Sequence, residues 1–260
     1  RKRASSMAIW AFCMFLEIFV NGTMMRFSSY GLAMTWFFAS TIFDCCASGE
    51  MVNSAGRSLK KSTPLLAAWP PAPIAGTAKN TGYCFLLAET LVEAITSDPG
   101  FNGGNYKSPA DVAAGLKRHA RLWTFDGWSD AFFRADRYKA LGFDSIAAFV
   151  DDFMTGYFAP MDPNNLLAMA WKWQRGDVSR NTGGNLAGAL GGIKAKTFVM
   201  PISHDILFPP VDCEAEQKLI PGSQFRPLKS IDGHLGLFGV DPELLAQLDA
   251  NLSELLATPA

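Results

Sequence analysis

The sequence predicts an α/β fold: a parallel sheet in which one connection between neighbouring strands is expanded into a long helical insertion. Three observations carry this. Ala72 to Thr77 is a short apolar run ending in glycine and small residues, the texture of a buried strand that feeds a loop. A block from about 80 to 192 is helical in period and rich in aromatic residues, too long for an ordinary connection between adjacent strands. After Gly191-Gly192 the texture changes again, to strand, helix, strand, helix, the closing alternation of a parallel sheet.

Taken in chain order, the first seventy residues fit this plan least. Arg1-Lys2-Arg3 precedes an apolar run, Met7 to Val20, broken only by Glu17, and a second apolar stretch spans Tyr30 to Phe43. A charged start before an apolar run is the pattern of a signal peptide or membrane anchor. The run also falls short of the ~20 residues that span a bilayer, which suits a buried helix or strand instead. A third reading is a truncated or altered first half of the sheet, because no alternation of strand and helix periods with glycine turns precedes Pro70-Pro71.

Beyond that point each element has a local cause. Tyr83 to Thr96 reads as a helix stopped at Asp98-Pro99, and Asn102-Gly103-Gly104-Asn105 is turn chemistry. Ser108 is placed to cap the next helix, with Pro109 where a missing N–H costs nothing. Helical patterns continue through Trp123, from Trp128 to Ala140 and from Asp144 to Tyr157. Another starts at Asp162-Pro163 and carries Leu166, Leu167, Ala170 and Trp173 on one side. Lys196 to Ile202 is a buried strand, Val211 to Ile220 a helix, and Phe225 to Ile231 a weaker strand whose Pro227 suits an edge or bulge. Pro242 to Leu256 closes as an amphipathic helix.

Composition narrows the function classes. Of 260 residues, 49% are hydrophobic and 18% charged, which fits a folded globular protein rather than a disordered one. A formal net charge of −1 leaves no electrostatic footprint for a nucleic-acid partner. Five cysteines, Cys13, Cys45, Cys46, Cys84 and Cys213, form no C-x-x-C pair and favour a reducing, intracellular and cytoplasmic setting. Three well-separated histidines give little support to a metal site. No phosphate loop or dinucleotide fingerprint is present, so no cofactor is implied.

The chemistry-bearing residues follow the last two strands. Asp205 lies in Ser203-His204-Asp205-Ile206-Leu207-Phe208-Pro209-Pro210, and His234 lies in Asp232-Gly233-His234-Leu235-Gly236. Open α/β sheets place their chemistry at such strand ends. A carboxylate there can hold one imidazole nitrogen and stabilise the imidazolium, leaving the other nitrogen to activate a nucleophile. The two residues are 29 positions apart, across one helix and one strand, in the acid-then-base order of α/β-hydrolases.

On these residues, the stretch from Ala72-Pro73-Ile74-Ala75-Gly76-Thr77-Ala78-Lys79-Asn80 to the carboxyl terminus resembles the homoserine O-acetyltransferase-like branch of the α/β-hydrolase superfamily. Ile95 to Tyr106, Leu207-Phe208-Pro209-Pro210 and Gly233-His234 add to the resemblance. It implies Asp205 as triad acid, His234 as triad base, and a helical lid between the sixth and seventh strands. The resulting organisation is an unassigned segment, 1–70, a hydrolase core, 71–80 and 193–260, and a lid, 81–192. Transferase relatives carry an Arg-Phe-Asp-x-Asn type segment after the lid. Here the corresponding region reads Met161-Asp162-Pro163-Asn164-Asn165 and then Trp171 to Asp177, with the arginine not in its place, which favours the hydrolase-like relatives, some of which serve fungal secondary-metabolite pathways.

The family nucleophile is a serine in G-x-S-x-G, on a tight turn about twenty residues before Ala72. No G-x-S-x-G occurs. Val52-Asn53-Ser54-Ala55-Gly56 is the nearest approximation, with the trailing glycine alone, so Ser54 is the candidate. Ser29 is a weaker one, and nothing around Cys45 or Cys46 lowers a thiol pKa. Three functions stay open: a serine hydrolase of an ester, thioester or related acyl compound, a homoserine acyltransferase, and an inactive remnant or binding protein. The expected partner is a small-molecule acyl substrate, with neither nucleic acid nor membrane. The oligomeric state is left open, a dimer included.

Overall fold

The structure, a computed structural model, describes residues 18–20, 23–25, 72–74 and 76–257. The chain divides into two units, Arg1–Lys60 and Lys61–Ala260. In the first, β1 (Ile18–Val20) pairs antiparallel with β2 (Thr23–Met25), Ile18 opposite Met25. The remainder of the two apolar runs expected near the amino terminus, with Ser29, Cys45, Cys46 and Ser54, lies outside the described residues.

The second unit is built on a three-stranded parallel sheet of order β3-β4-β5, from Ala72–Ile74, Thr197–Val199 and Gln224–Phe225. Ala72 pairs with Thr197, and Phe198 with Gln224. β4 is fully buried, as its run of Thr-Phe-Val requires. The strand expected over Phe225–Ile231 is regular only at Gln224–Phe225, because Pro227 interrupts it. Pairing nevertheless continues. Arg226 N–H donates to the Val199 carbonyl and Leu228 N–H to that of Pro201, each at 2.8 Å. Donors in a parallel ladder alternate in direction, so the N–H that Pro227 lacks would point away from β4.

Between β3 and β4 the described chain is helical. It contains α1 (Gly82–Thr96), α2 (Ala113–Gly127), α3 (Asp130–Arg134), α4 (Arg137–Ala140), α5 (Ile146–Ala148), α6 (Thr155–Phe158), α7 (Pro163–Gln174) and α8 (Leu186–Gly191). A π-helical turn, Phe149–Met154, joins α5 to α6. After β4 come α9 (Pro210–Gln217) and, last, α10 (Pro242–Leu256). Local chemistry sets the starts. Thr81 caps α1 by accepting from Cys84 N–H, and Asp162 caps α7 by accepting from Asn165 N–H. Ser108 takes the expected cap position, and Asp111 completes a capping box with it. The Asp111 carboxylate accepts from the Lys107 and Ser108 N–H groups, at 2.8 and 3.0 Å. The expected helix over Trp128–Ala140 is broken at Asp136, which adopts φ 51° and separates α3 from α4.

α1 packs against α2 and α7. Cys84, Leu87, Ala88, Leu91, Ala94 and Ile95 recur at helical spacing on its buried face. Asp98 ties the junction, accepting from Gly100 N–H and, at 2.6 Å, from Gly115 N–H. The main apolar core of the insertion is aromatic, with Trp128, Phe132 and Phe149 almost wholly buried. Each such ring stabilises the fold by about 2–3 kcal/mol through burial alone. Among the described residues no helix is long and apolar enough to cross a membrane.

His119 sits inside this core, and burial pushes its imidazole down to about 4, against a smaller opposing effect of its bond to Leu91. An unfolded imidazole titrates near 6.5. Between those two values the unfolded chain takes up a proton that the folded chain refuses. Stability is therefore fully present above the window and falls as pH drops through it. His119→Gln carries no titrating group there. Urea unfolding near pH 7 and near pH 4 is expected to show the wild type losing on the order of 3 kcal/mol relative to His119→Gln; a pH-independent difference would contradict a neutral buried His119.

Candidate active site

Asp205 occupies the turn that follows β4. Its own N–H donates to the Ile202 carbonyl at 3.0 Å. Its Oδ1 accepts from the Leu207 and Phe208 N–H groups, at 2.8 and 3.0 Å, so the carboxylate is locked against its own backbone. The two carbonyls of the same turn are also satisfied, Leu207 by the Cys84 thiol at 3.1 Å and Phe208 by the Cys213 thiol at 3.6 Å. Both cysteines are free and buried. Burial raises the Cys84 thiol and pushes Cys213 up to about 12, so these thiols are structural donors rather than nucleophiles.

His234 follows the last strand and opens a 3-10 turn, His234–Phe238. The structure brings it and Asp205 together. His234 Nδ1 lies 2.8 Å from Asp205 Oδ2, and each side chain is only 2% exposed. With a carboxylate as partner, Nδ1 carries the proton, and Nε2 is the basic nitrogen of the ring.

The backbone entering His234 needs glycine. Gly233 has φ 76°, and a Cβ there would stand 2.8 Å from Ser129 N and 3.1 Å from the Gly127 carbonyl oxygen. The Ser129 hydroxyl, in the same junction between α2 and α3, donates to the Ile231 carbonyl. The helical insertion therefore grips the histidine loop from one side. Ser230 donates to Asp241 at 2.9 Å, and Arg137 of α4, also in the insertion, bridges Asp232 at 3.3 Å and Asp241 at 3.6 Å. Burial raises the Asp232 carboxyl, and Arg137 acts against that rise. Phe238, four residues past the histidine, packs against Tyr157, Phe153 and Trp128 with ring centroids 5.2, 6.0 and 6.3 Å away.

Around the imidazole the walls are aromatic. The Phe208 ring lies 5.5 Å from that of His234 and the Trp123 ring 6.2 Å, with Trp173 stacked on Trp123 at 6.2 Å. Sequence reasoning placed Phe208 near Asp205 but not against His234, and it missed Trp123. The available signal was His119 and Trp123 at i, i+4, one above the other on a helix face. His204, next to the acid in sequence, is exposed and turns away, with Nδ1 3.0 Å from the Ser230 carbonyl oxygen. Among the described residues no cluster of His, Cys, Asp and Glu is arranged to hold a metal ion. The arrangement can accept a proton at Nε2 and stabilise the resulting imidazolium through Asp205, which is general base and then general acid chemistry.

No family model matches the chain. The chain is 68% identical over 189 residues to the ethyl acetate hydrolase of Pseudomonas veronii, covering 73% of this chain and 54% of that protein. It is 31% identical over 170 residues to a homoserine O-acetyltransferase of Nostoc punctiforme, covering 63% of this chain and 48% of the relative. Among solved structures, an acetylester hydrolase from Corynebacterium glutamicum superposes with a TM-score of 0.72 at 53% identity, over 73% of this chain and 54% of that one. The chain thus spans about half the length of the relatives it matches.

Gly233→Ala should force both the positive φ and the close approach to Ser129 to give way. Urea unfolding is expected to show a loss of roughly 2 kcal/mol or more. A variant as stable as the wild type would contradict this view of the histidine loop.

Proposed function

Because the chain, over its matched 189 residues, belongs to the α/β-hydrolase superfamily on its homoserine O-acetyltransferase-like branch, we propose that it supplies the acid–base half of a serine-type esterase acting on small acyl esters. The observation that carries the reading is the buried 2.8 Å contact between His234 and Asp205 at the ends of parallel strands. In the proposed reaction a serine hydroxyl passes its proton to His234 Nε2 as its oxygen attacks the ester carbonyl. Asp205 holds the Nδ1 proton and balances the imidazolium. The imidazolium returns its proton to the departing alcohol, leaving an acyl-enzyme. Water then attacks the acyl carbonyl, giving its proton to the same Nε2, and the imidazolium passes that proton to the serine oxygen as the acyl–serine bond breaks and the carboxylic acid leaves.

Ser54 is the nucleophile candidate on sequence grounds, and it lies outside the described residues. Acetate esters are the preferred substrate class, since the ethyl acetate hydrolase is more similar to this chain than the homoserine O-acetyltransferase. The absence of an arginine from Met161 to Asn165 also supports hydrolysis over homoserine transfer. The helical insertion, 81–192, acts as the lid that bounds the acyl site. Free thiols at Cys84 and Cys213 support an intracellular location.

Two measurements test the reading. A fluorophosphonate probe followed by peptide mapping is expected to label a single serine, Ser54 on this account; folded protein that takes up no label would instead support a non-catalytic remnant. His234→Ala is expected to lower p-nitrophenyl acetate turnover by about 10⁴- to 10⁶-fold with an unchanged circular dichroism spectrum. Retained turnover would remove His234 from the mechanism.

A further inference from the structure

His119 and Trp123 form an arrangement that the acid–base chemistry leaves unexplained. Both lie on α2, four residues apart. His119 Nδ1 donates to the Leu91 carbonyl of α1 at 3.1 Å. Its Nε2 accepts from the Trp123 indole N–H at 3.1 Å. One nitrogen donating and the other accepting is possible only for a neutral imidazole. The same ring packs edge-on against Phe158 at 5.0 Å, and Phe158 stacks on Trp123 at 6.3 Å. The indole is therefore fixed at its N–H and along one face. It remains half-buried, stands beside the His234 ring and carries Trp173 stacked on it.

We infer that His119 is a positioning residue for the site. Its neutral ring holds Trp123 against His234, and Trp123 with Trp173 forms the wall that limits the size of the acyl group reaching that imidazole. The His119 protonation behaviour described above fits this role, because a charged ring would lose the acceptor that the indole needs. The hold on Trp123 stands on geometry alone, whereas the limit on acyl size rests on the esterase reading.

The chain has three histidines, so the ring protons of His234 can be assigned in NMR spectra by single replacements. Trp123→Phe gives the shift produced when the indole ring current is lost. His119→Leu, which removes the acceptor, is expected to move the His234 protons in the same direction by at least half that amount. His119→Gln, which keeps an acceptor, should leave them near their wild-type positions. Unmoved His234 signals in a folded His119→Leu protein would overturn the inference. Should His119→Leu fail to fold, the wild-type Trp123 N–H decides. Slow exchange with solvent supports the hold, and exchange at the rate of a free indole overturns it.

Hydrolysis of p-nitrophenyl acetate and hexanoate then reads the consequence. Trp123→Ala and His119→Leu are each expected to raise the hexanoate-to-acetate ratio of kcat/KM by about tenfold, with His119→Gln close to wild type. An unchanged ratio overturns the role of Trp123 as a wall. A wild-type chain without turnover would sink the esterase reading, and the NMR shifts would still decide the hold on Trp123.

Discussion

The contact between His234 and Asp205 is the interaction on which the rest of the site depends. A buried carboxylate costs several kcal/mol unless its oxygens are satisfied. Here one oxygen takes two backbone N–H groups of its own turn and the other faces the imidazole. The acid cannot rotate without abandoning two hydrogen bonds. That rigidity fixes which nitrogen of His234 carries the proton, and hence which one can act on a hydroxyl.

The same contact joins two parts of the fold with different origins. Asp205 belongs to the sheet, and its turn is held by thiols from α1 and α9. The His234 loop belongs equally to the helical insertion. Ser129 and the backbone at Gly127 press on it before the histidine, and Tyr157, Phe153 and Trp128 surround Phe238 after it. The aromatic core of the insertion sets the path of the segment that carries His234, so loosening that core would loosen the contact with Asp205.

Much of this was legible in the sequence, and the reasons differ by element. α1, α7 and α10 declared themselves through caps, proline starts and helical spacing, which are local signals. The pairing of Asp205 with His234 was foreseeable because chain order and strand-end placement are properties of sequence. β5 was overextended because Pro227 breaks its regularity while ladder bonds on either side survive. Ser108 stands at the cap position read from the sequence, and the return bond from Asp111 that completes a capping box was not foreseen. Trp123 and Phe208 at the imidazole, and the bridge from Arg137 to Asp232 and Asp241, depend on contacts between segments far apart in the chain. No local pattern encodes those. The nucleophile is a different matter, since the first seventy residues carry neither a G-x-S-x-G nor the alternation of a parallel sheet.

The most direct test is the tautomer of His234, read from the nitrogen chemical shifts of its ring at neutral pH in the wild type and in Asp205→Asn. The account predicts a ring protonated at Nδ1 in the wild type, and a shift of population toward the Nε2 form once the carboxylate becomes an amide. A wild-type ring protonated at Nε2, or a spectrum indifferent to the change at Asp205, would mean that the two residues are neighbours without being partners.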